Sequence, residues 1–246
     1  MTRLLVPDEK VPPWLRGLTA NLDGVTRSVE DRGGVTERLL RSMMRNPRSA
    51  AVLVLLSGDW SGDPTHHGGI PADADVLLTQ RAATLRNHSG QIAFPGGVRD
   101  DGDEFPVGTA VREAVEETGL DPAGVDLLAT LDTFPVPPSG FEVSPVIGYW
   151  RDPSEVGVVD LAETARVVRV PLRDVVNPRN RFQVQRPTGI PGRPYRGPAF
   201  GVEKMLVWGF TGGLLAAIVE AAGWEIAWDK TDVRDLADEL AKVGQE

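Results

Sequence analysis

The chain predicts layered α/β or α+β architecture rather than a helical bundle. Three observations carry that reading. Apolar runs rich in β-formers recur between turn residues; one strongly periodic helix interrupts them over 104–120; and the links between neighbouring runs are short and hairpin-like. With 246 residues there is ample material for a sizeable core.

The elements follow in order. Residues 1–48 read as an N-terminal extension, in which Leu39, Leu40 and Met43 space a short amphipathic helix over Val35–Met44. Its arginines alternate with Glu30, Asp31 and Glu37, so a solvated helix face accounts for them. Ala50–Leu56 (AAVLVLL) is a continuous apolar run between Pro47 and Gly58, the signature of a strand buried on both faces. Residues 57–73 are a loop containing the His66–His67 pair. Strands follow at Asp75–Arg81 and Gln91–Phe94. After Gly96–Gly97 and an Asp/Gly turn, a helix spans Glu104–Leu120, stopped by Gly119 and Pro122. Further strands fall at Val125–Thr133, Val143–Trp150 and Ala165–Val170, with a Gly/Pro/Arg loop from Asn177 to Pro198. The last elements expected are an apolar helix over Lys204–Ala222 and a polar amphipathic one over Thr231–Val243. The first of these suits either the core or a subunit contact, which leaves a homodimer open. The domain reading is 1–48 extension, 49–222 central domain and 223–246 helical tail.

Composition narrows the function. The absence of cysteine excludes disulfides, cysteine-ligated zinc, iron–sulfur clusters and thiol catalysis. No apolar run reaches the ~18 residues of a membrane span, and the first residues lack the apolar core of a secretory signal, so a soluble, cytoplasmic protein with no membrane partner is expected. A net charge of -9 argues against a nucleic-acid partner. That charge is concentrated: between Gly97 and Asp126 nine acids face only Arg99 and Arg112, which places -7 of the -9 in one segment.

The chemistry centres on Arg112–Leu120 (REAVEETGL). At ~100° per residue, Glu117 falls about 40° and Glu116 about 300° from Glu113, while Val111, Ala114, Val115 and Thr118 occupy the opposite arc. Three carboxylates at i, i+3 and i+4 repel one another unless a positive charge sits among them. Either they are simply solvated, or they hold a hard divalent cation, Mg²⁺ or Mn²⁺. The preceding Phe94-Pro95-Gly96-Gly97 favours the cation, because paired glycines let backbone approach a ligand closely. Arg112, beside Glu116 on the wheel, is placed to orient a carboxylate. Carboxylate-bound Mg²⁺ with open positions typically engages phosphates, which points to hydrolysis or transfer at a phosphate.

These residues resemble a known family. Gly97, Asp103 and Arg112-Glu113-Ala114-Val115-Glu116-Glu117-Thr118-Gly119-Leu120 look like the Nudix box, G-x5-E-x7-R-E-U-x-E-E-x-G-U with U apolar. Here Asp103 replaces the first Glu and the spacer before Arg112 is one residue longer. Upstream, Leu77-Leu78-Thr79-Gln80-Arg81-Ala82, Arg86, Gly90 and Phe94-Pro95-Gly96-Gly97 are similar to the motif L-L-T-x-R-(S/A)-x3-R-x3-G-x3-F-P-G-G of the coenzyme A pyrophosphatases within the Nudix superfamily. That subfamily also tends to show the longer spacer and the Asp. Ser144–Gly148 and Val207–Gly212 look like further subfamily segments, so the resemblance spans roughly 50–222 and is densest over 77–120.

The resemblance implies a Nudix-type α/β/α sandwich with a mixed sheet, flanked by N- and C-terminal extensions. It implies metal-dependent hydrolysis of the diphosphate of coenzyme A or a derivative, a small-molecule substrate, giving 3',5'-ADP and 4'-phosphopantetheine; ADP-ribose or another nucleoside diphosphate derivative is the alternative, and a silent ligand-sensing domain a third. The implied metal ligands are Glu113, Glu116, Glu117 and the Gly97 carbonyl, with Glu116, Glu117 and Arg112 as catalytic residues. Arg81, Arg86 and Gly96 are the implied substrate contacts, and the two arginines stand either as phosphate contacts or as internal salt-bridge partners of acids such as those of the box. The general base stays open between the box glutamates, Glu142 and Glu163. The arginines of 177–204 stand either as a receptor for an anionic substrate end or as a solvated loop.

Overall fold

The computed structural model describes the chain except Met1, Arg45, residues 84–88, Pro138, residues 189–191, Arg193 and Glu246, and except the side chains of 33–43. Arg86 and Arg193 therefore lie outside the described residues. In chain order the elements are β1 (Arg3–Leu4), α1 (Arg16–Thr19), α2 (Leu22–Met43), β2 (Arg48–Ser57), β3 (Asp75–Arg81), β4 (Ile92–Ala93), β5 (Gly96–Val98), α3 (Val107–Thr118), β6 (Val125–Thr130), β7 (Phe134–Val136), β8 (Phe141–Trp150), β9 (Thr164–Pro171), α4 (Leu172–Val176), β10 (Arg181–Arg186), β11 (Tyr195–Val202), β12 (Met205–Val207), α5 (Gly209–Ala221), β13 (Val233–Asp235) and α6 (Leu236–Val243).

Among the described residues the main sheet has nine strands, with the path β1-β6-β8-β2-β3-β4; β5 adds to β2, β7 to β8 and β9 to β3. It is mixed, since β2 and β8 run parallel over Arg48–Ser57 against Phe141–Trp150 while the other pairs are antiparallel. The AAVLVLL run is apolar throughout because the sheet is covered on both sides. Ala51, Leu53 and Leu55 pack with Leu77, Val146, Ala110 and Ala114 beneath α3. Val54 and Leu56 join Val76, Leu78, Ile147 and the α5 residues Leu214–Val219 on the opposite side. Helix, sheet and helix thus form an α/β/α sandwich. The N-terminal residues Val11, Trp14, Leu15, Leu18, Leu22 and Val25 are buried in this second core, where Trp14 stacks on Trp224 with ring centroids 5.6 Å apart.

Several elements differ from the sequence expectation. The helix expected over Val35–Met44 begins at Leu22. Gly24, Gly33 and Gly34 weaken its local propensity, but Leu22 and Val25 bury against the α5 side of the core, and tertiary packing overrides propensity. The stretch 177–198, expected as a loop, contains β10 and the first half of β11, which pair antiparallel from Arg181↔Phe200 to Arg186↔Tyr195. The first residues of the helix expected over Lys204–Ala222 form β12, and the helix starts at Gly209. The helix expected over Thr231–Val243 starts only at Leu236, capped by Asp235, whose carboxylate accepts from the Ala237 and Asp238 N–H groups. The preceding β13 runs parallel to β10. These strands build a second sheet, β12-β11-β10-β13, with its own core of Phe182, Val184, Ala199, Leu206 and Leu236.

Arg181 anchors that sheet. It is 3% exposed, its guanidinium lies 5.3 Å from the Phe200 ring centroid and 4.8 Å from that of Trp228, and it pairs with Glu225 at 3.1 Å. Burial lowers its pKa, against the pull of Glu225. It is a structural cation, not part of a solvated loop. No helix among the described residues is long and apolar enough to cross a membrane.

Candidate active site

The candidate site lies where β5 meets α3. β5 lies against β2 with Gly96↔Val52 and Gly97↔Ala51 in register. A Cβ on Gly96 would collide with the Ala51 carbonyl, and one on Gly97 would occupy the place of the Glu113 carboxylate. Close approach to backbone therefore requires glycine at 96, while at 97 an added Cβ would displace the Glu113 carboxylate. α3 buries Thr109, Ala110, Ala114 and Thr118 against the sheet, and Gly119, in the left-handed region at φ 70°, closes its last turn. Burying that face directs Glu113 and Glu117 to the edge beside β5.

Glu117 accepts the Gly96 N–H at 3.2 Å. Burial pushes its carboxyl up to about 7; the Gly96 N–H and the charge of Arg81 pull it down, while Glu113 and Glu163 add to the rise. Glu113 is also raised, chiefly by burial, against the lowering effect of Arg112. Glu116 is different: its side chain is 57% exposed and pairs with Arg112 at 3.0 Å.

Arg112 is the hub. Its guanidinium donates to both oxygens of Asp103 (Nε to Oδ1 3.2 Å, Nη2 to Oδ2 3.0 Å), to the Val98 carbonyl at 2.9 Å and to Glu116. It also pairs with Glu113 at 3.1 Å. Asp103 further accepts from the Asp100 N–H and the Thr109 hydroxyl. These bonds, Arg112's foremost, hold the Asp103 carboxyl well below the usual carboxylate range and raise the Arg112 pKa in return. Sequence reasoning marked Asp103 only as a departure from a motif and missed Thr109 and the Val98 carbonyl. In the fold, Asp103 locks the turn before α3 to the arginine that steers two glutamates.

Arg81, at the end of β3, is close enough for its charge to act on Glu117, and among the described residues its buried Nε has no hydrogen-bond partner. Glu163 reaches the site through the same field and its backbone, whose carbonyl accepts the Ala82 N–H at 2.8 Å. Glu142 stands on β8 opposite Ser49 of β2. The histidine pair is engaged with backbone: His66 Nδ1 lies 3.0 Å from the His67 carbonyl, and His67 Nε2 3.2 Å from that of Glu225.

The donor set fits a hard cation. Glu113 and Glu117 are carboxylates whose burial disfavours their charged forms, and a cation among them relieves that penalty. Among the described residues no three acids or histidines are gathered closely enough to hold an ion as the side chains stand, and Arg112 pairs with Glu113 and Glu116.

Comparison with known proteins agrees with this geometry. The family model described as NUDIX domain matches residues 64–188. A Nudix hydrolase, NudL, from Cronobacter sakazakii is 34% identical over 204 residues, spanning 76% of this chain and 91% of that protein. The chain belongs to the Nudix family. Nudix hydrolase 15, mitochondrial, of Arabidopsis thaliana is 34% identical over 174 residues, 69% of this chain and 56% of that protein. Among solved structures, a Nudix hydrolase from M. smegmatis, RenU, aligns with 26% identity and a TM-score of 0.40, covering 52% of this chain and 73% of that one. The Nudix box of this hydrolase is the β5–turn–α3 unit just described, and the enzyme acts on a phosphorus-containing diphosphate.

Proposed function

We propose that this Nudix hydrolase cleaves the diphosphate of coenzyme A or a derivative, giving 3',5'-ADP and 4'-phosphopantetheine or its acylated form. The observation that carries the reading is the placement of Arg81. This arginine belongs to the stretch Leu77–Gly97 that resembles the coenzyme A motif; its charge acts on Glu117, and among the described residues its buried Nε has no hydrogen-bond partner. A substrate oxygen would satisfy that donor.

Nudix hydrolases need a divalent cation, and we assign Mg²⁺ or Mn²⁺ here to Glu113, Glu116, Glu117 and the Gly97 carbonyl. When bound, such an ion polarises the diphosphate and lowers the pKa of a bound water. Binding requires Glu113 and Glu116 to turn from Arg112, and the exposure of Glu116 leaves room for it. Arg112 then orients the carboxylates while Asp103 keeps the arginine in place. Arg81 meets the anionic diphosphate, as does Arg86 by its position in the motif, and the Gly96 backbone lines the approach. Glu117, held by the Gly96 N–H at 3.2 Å, is the group we assign to take a proton from the attacking water. The substrate is a small molecule, and the chain is read as cytoplasmic.

The test is a comparison of kcat/KM for coenzyme A, dephospho-coenzyme A and ADP-ribose with Mn²⁺. Coenzyme A is expected to be preferred over both. Faster cleavage of ADP-ribose would replace the coenzyme A assignment with the alternative and leave the family unchanged.

A further inference from the structure

The amide of Gln245 spans two sheets. The residue is 2% exposed, directly after Gly244, which ends α6. Its Oε1 accepts the Leu206 N–H at 2.6 Å, and its Nε2 donates to the Gly90 carbonyl at 3.1 Å and to the Leu206 carbonyl at 3.4 Å. A primary amide carries a donor and an acceptor side by side, so it pairs with both backbone groups of Leu206 as a neighbouring strand would. β12 is thereby completed at its free edge, since β11 lies on its other side.

The bond to Gly90 couples this arrangement to the site. Gly90 belongs to the connection between β3 and β4, and its carbonyl also receives the Gln80 side chain at 3.4 Å. The next residue, Gln91, accepts the Arg81 N–H at 3.0 Å. Gln245, Gly90, Gln91 and Arg81 thus form a continuous hydrogen-bonded path from the second sheet to the arginine beside Glu117.

We infer that Gln245 is a positioning residue for substrate binding: its amide fixes the Gly90 end of the β3–β4 connection to β12 and so sets Arg81 for the substrate diphosphate. The inference rests on the proposed role of Arg81. Gln245 touches no reacting atom; it acts through the backbone of 90–91.

Two variants separate its bonds. Gln245→Ala removes all three. Gln245→Glu keeps an acceptor for the Leu206 N–H but places a second acceptor against the Gly90 and Leu206 carbonyls. Steady-state kinetics with coenzyme A and Mn²⁺, and amide hydrogen exchange at Arg81 and Leu206, are measured on the full chain. Both variants are expected to raise KM roughly tenfold, about 1.4 kcal/mol, the scale of one lost hydrogen bond, with kcat within about twofold of wild type. Exchange at Arg81 is expected to accelerate in both, and at Leu206 only in the Ala variant. A general loss of folded protein would lower kcat and leave KM alone, so that pattern overturns the inference. Wild-type KM in the Glu variant, or unchanged exchange at Arg81 in both, does the same. If the wild-type chain cleaves ADP-ribose and not coenzyme A, the substrate reading fails separately, and the KM comparison is made on ADP-ribose with the same expectation.

Discussion

Replacing Glu117 by Gln is expected to stabilise the metal-free protein while abolishing its hydrolase activity. The unfolded chain releases this proton near the ordinary pKa of 4.5, the folded chain near 7. Between those values the folded state binds more protons, so stability falls as pH rises through the window and remains lower above it. The spread corresponds to about 3 kcal/mol against the charged form. Gln carries no charge to bury and keeps an acceptor for the Gly96 N–H. Thermal unfolding with a chelator present should show little difference near pH 4.5. At pH 8 the variant should melt higher by roughly 6–12 °C, the equivalent of ~3 kcal/mol in a chain of this size. Added Mn²⁺ should raise the wild-type midpoint and move the variant little. A variant no more stable than wild type at pH 8 would refute burial as the source of the raised pKa. Full turnover with Mg²⁺ would refute the metal site.

Gly97→Ala places a methyl where the Glu113 carboxylate lies and should lower kcat at least about tenfold with the fold retained, as steady-state kinetics and circular dichroism would show. Arg112→Lys cannot span Asp103, Glu113, Glu116 and the Val98 carbonyl; activity should fall about 10–100-fold and half-activation should need more Mn²⁺. Arg181→Ala removes the ion pair with Glu225 and the packing on Phe200 and Trp228, while Glu225 keeps the Trp228 Nε1–H and Lys230; the loss should be about 3 kcal/mol in urea unfolding with KM and kcat unchanged. The low end of the buried-pair range applies because the Glu225 side chain retains 23% exposure.

The sequence was legible where one physical constraint dominates a segment. Burial on both faces makes Ala50–Leu56 of β2 apolar and β8 largely so from Val143 on, and the single buried face of α3 leaves its acids at a readable spacing. Gly96 and Gly97 stood out as a pair because glycine leaves room for the close approach to β2 and for the Glu113 carboxylate. The second sheet was hidden because its strands are short and mixed in composition. β10 alternates Phe182 and Val184 with glutamines, flanked by arginines of which Arg181 is buried by stacking and an ion pair that no local pattern announces. The partners of the site were hidden by distance along the chain: Gln245 meets Gly90 across 155 positions, and Arg81 meets Glu117 only through the fold.

The central claim is most directly tested by identifying the products when the purified chain acts on coenzyme A with Mn²⁺. Equimolar 3',5'-ADP and 4'-phosphopantetheine, lost on chelation and in Glu117→Gln, are expected. Intact coenzyme A under conditions where ADP-ribose is hydrolysed would contradict it.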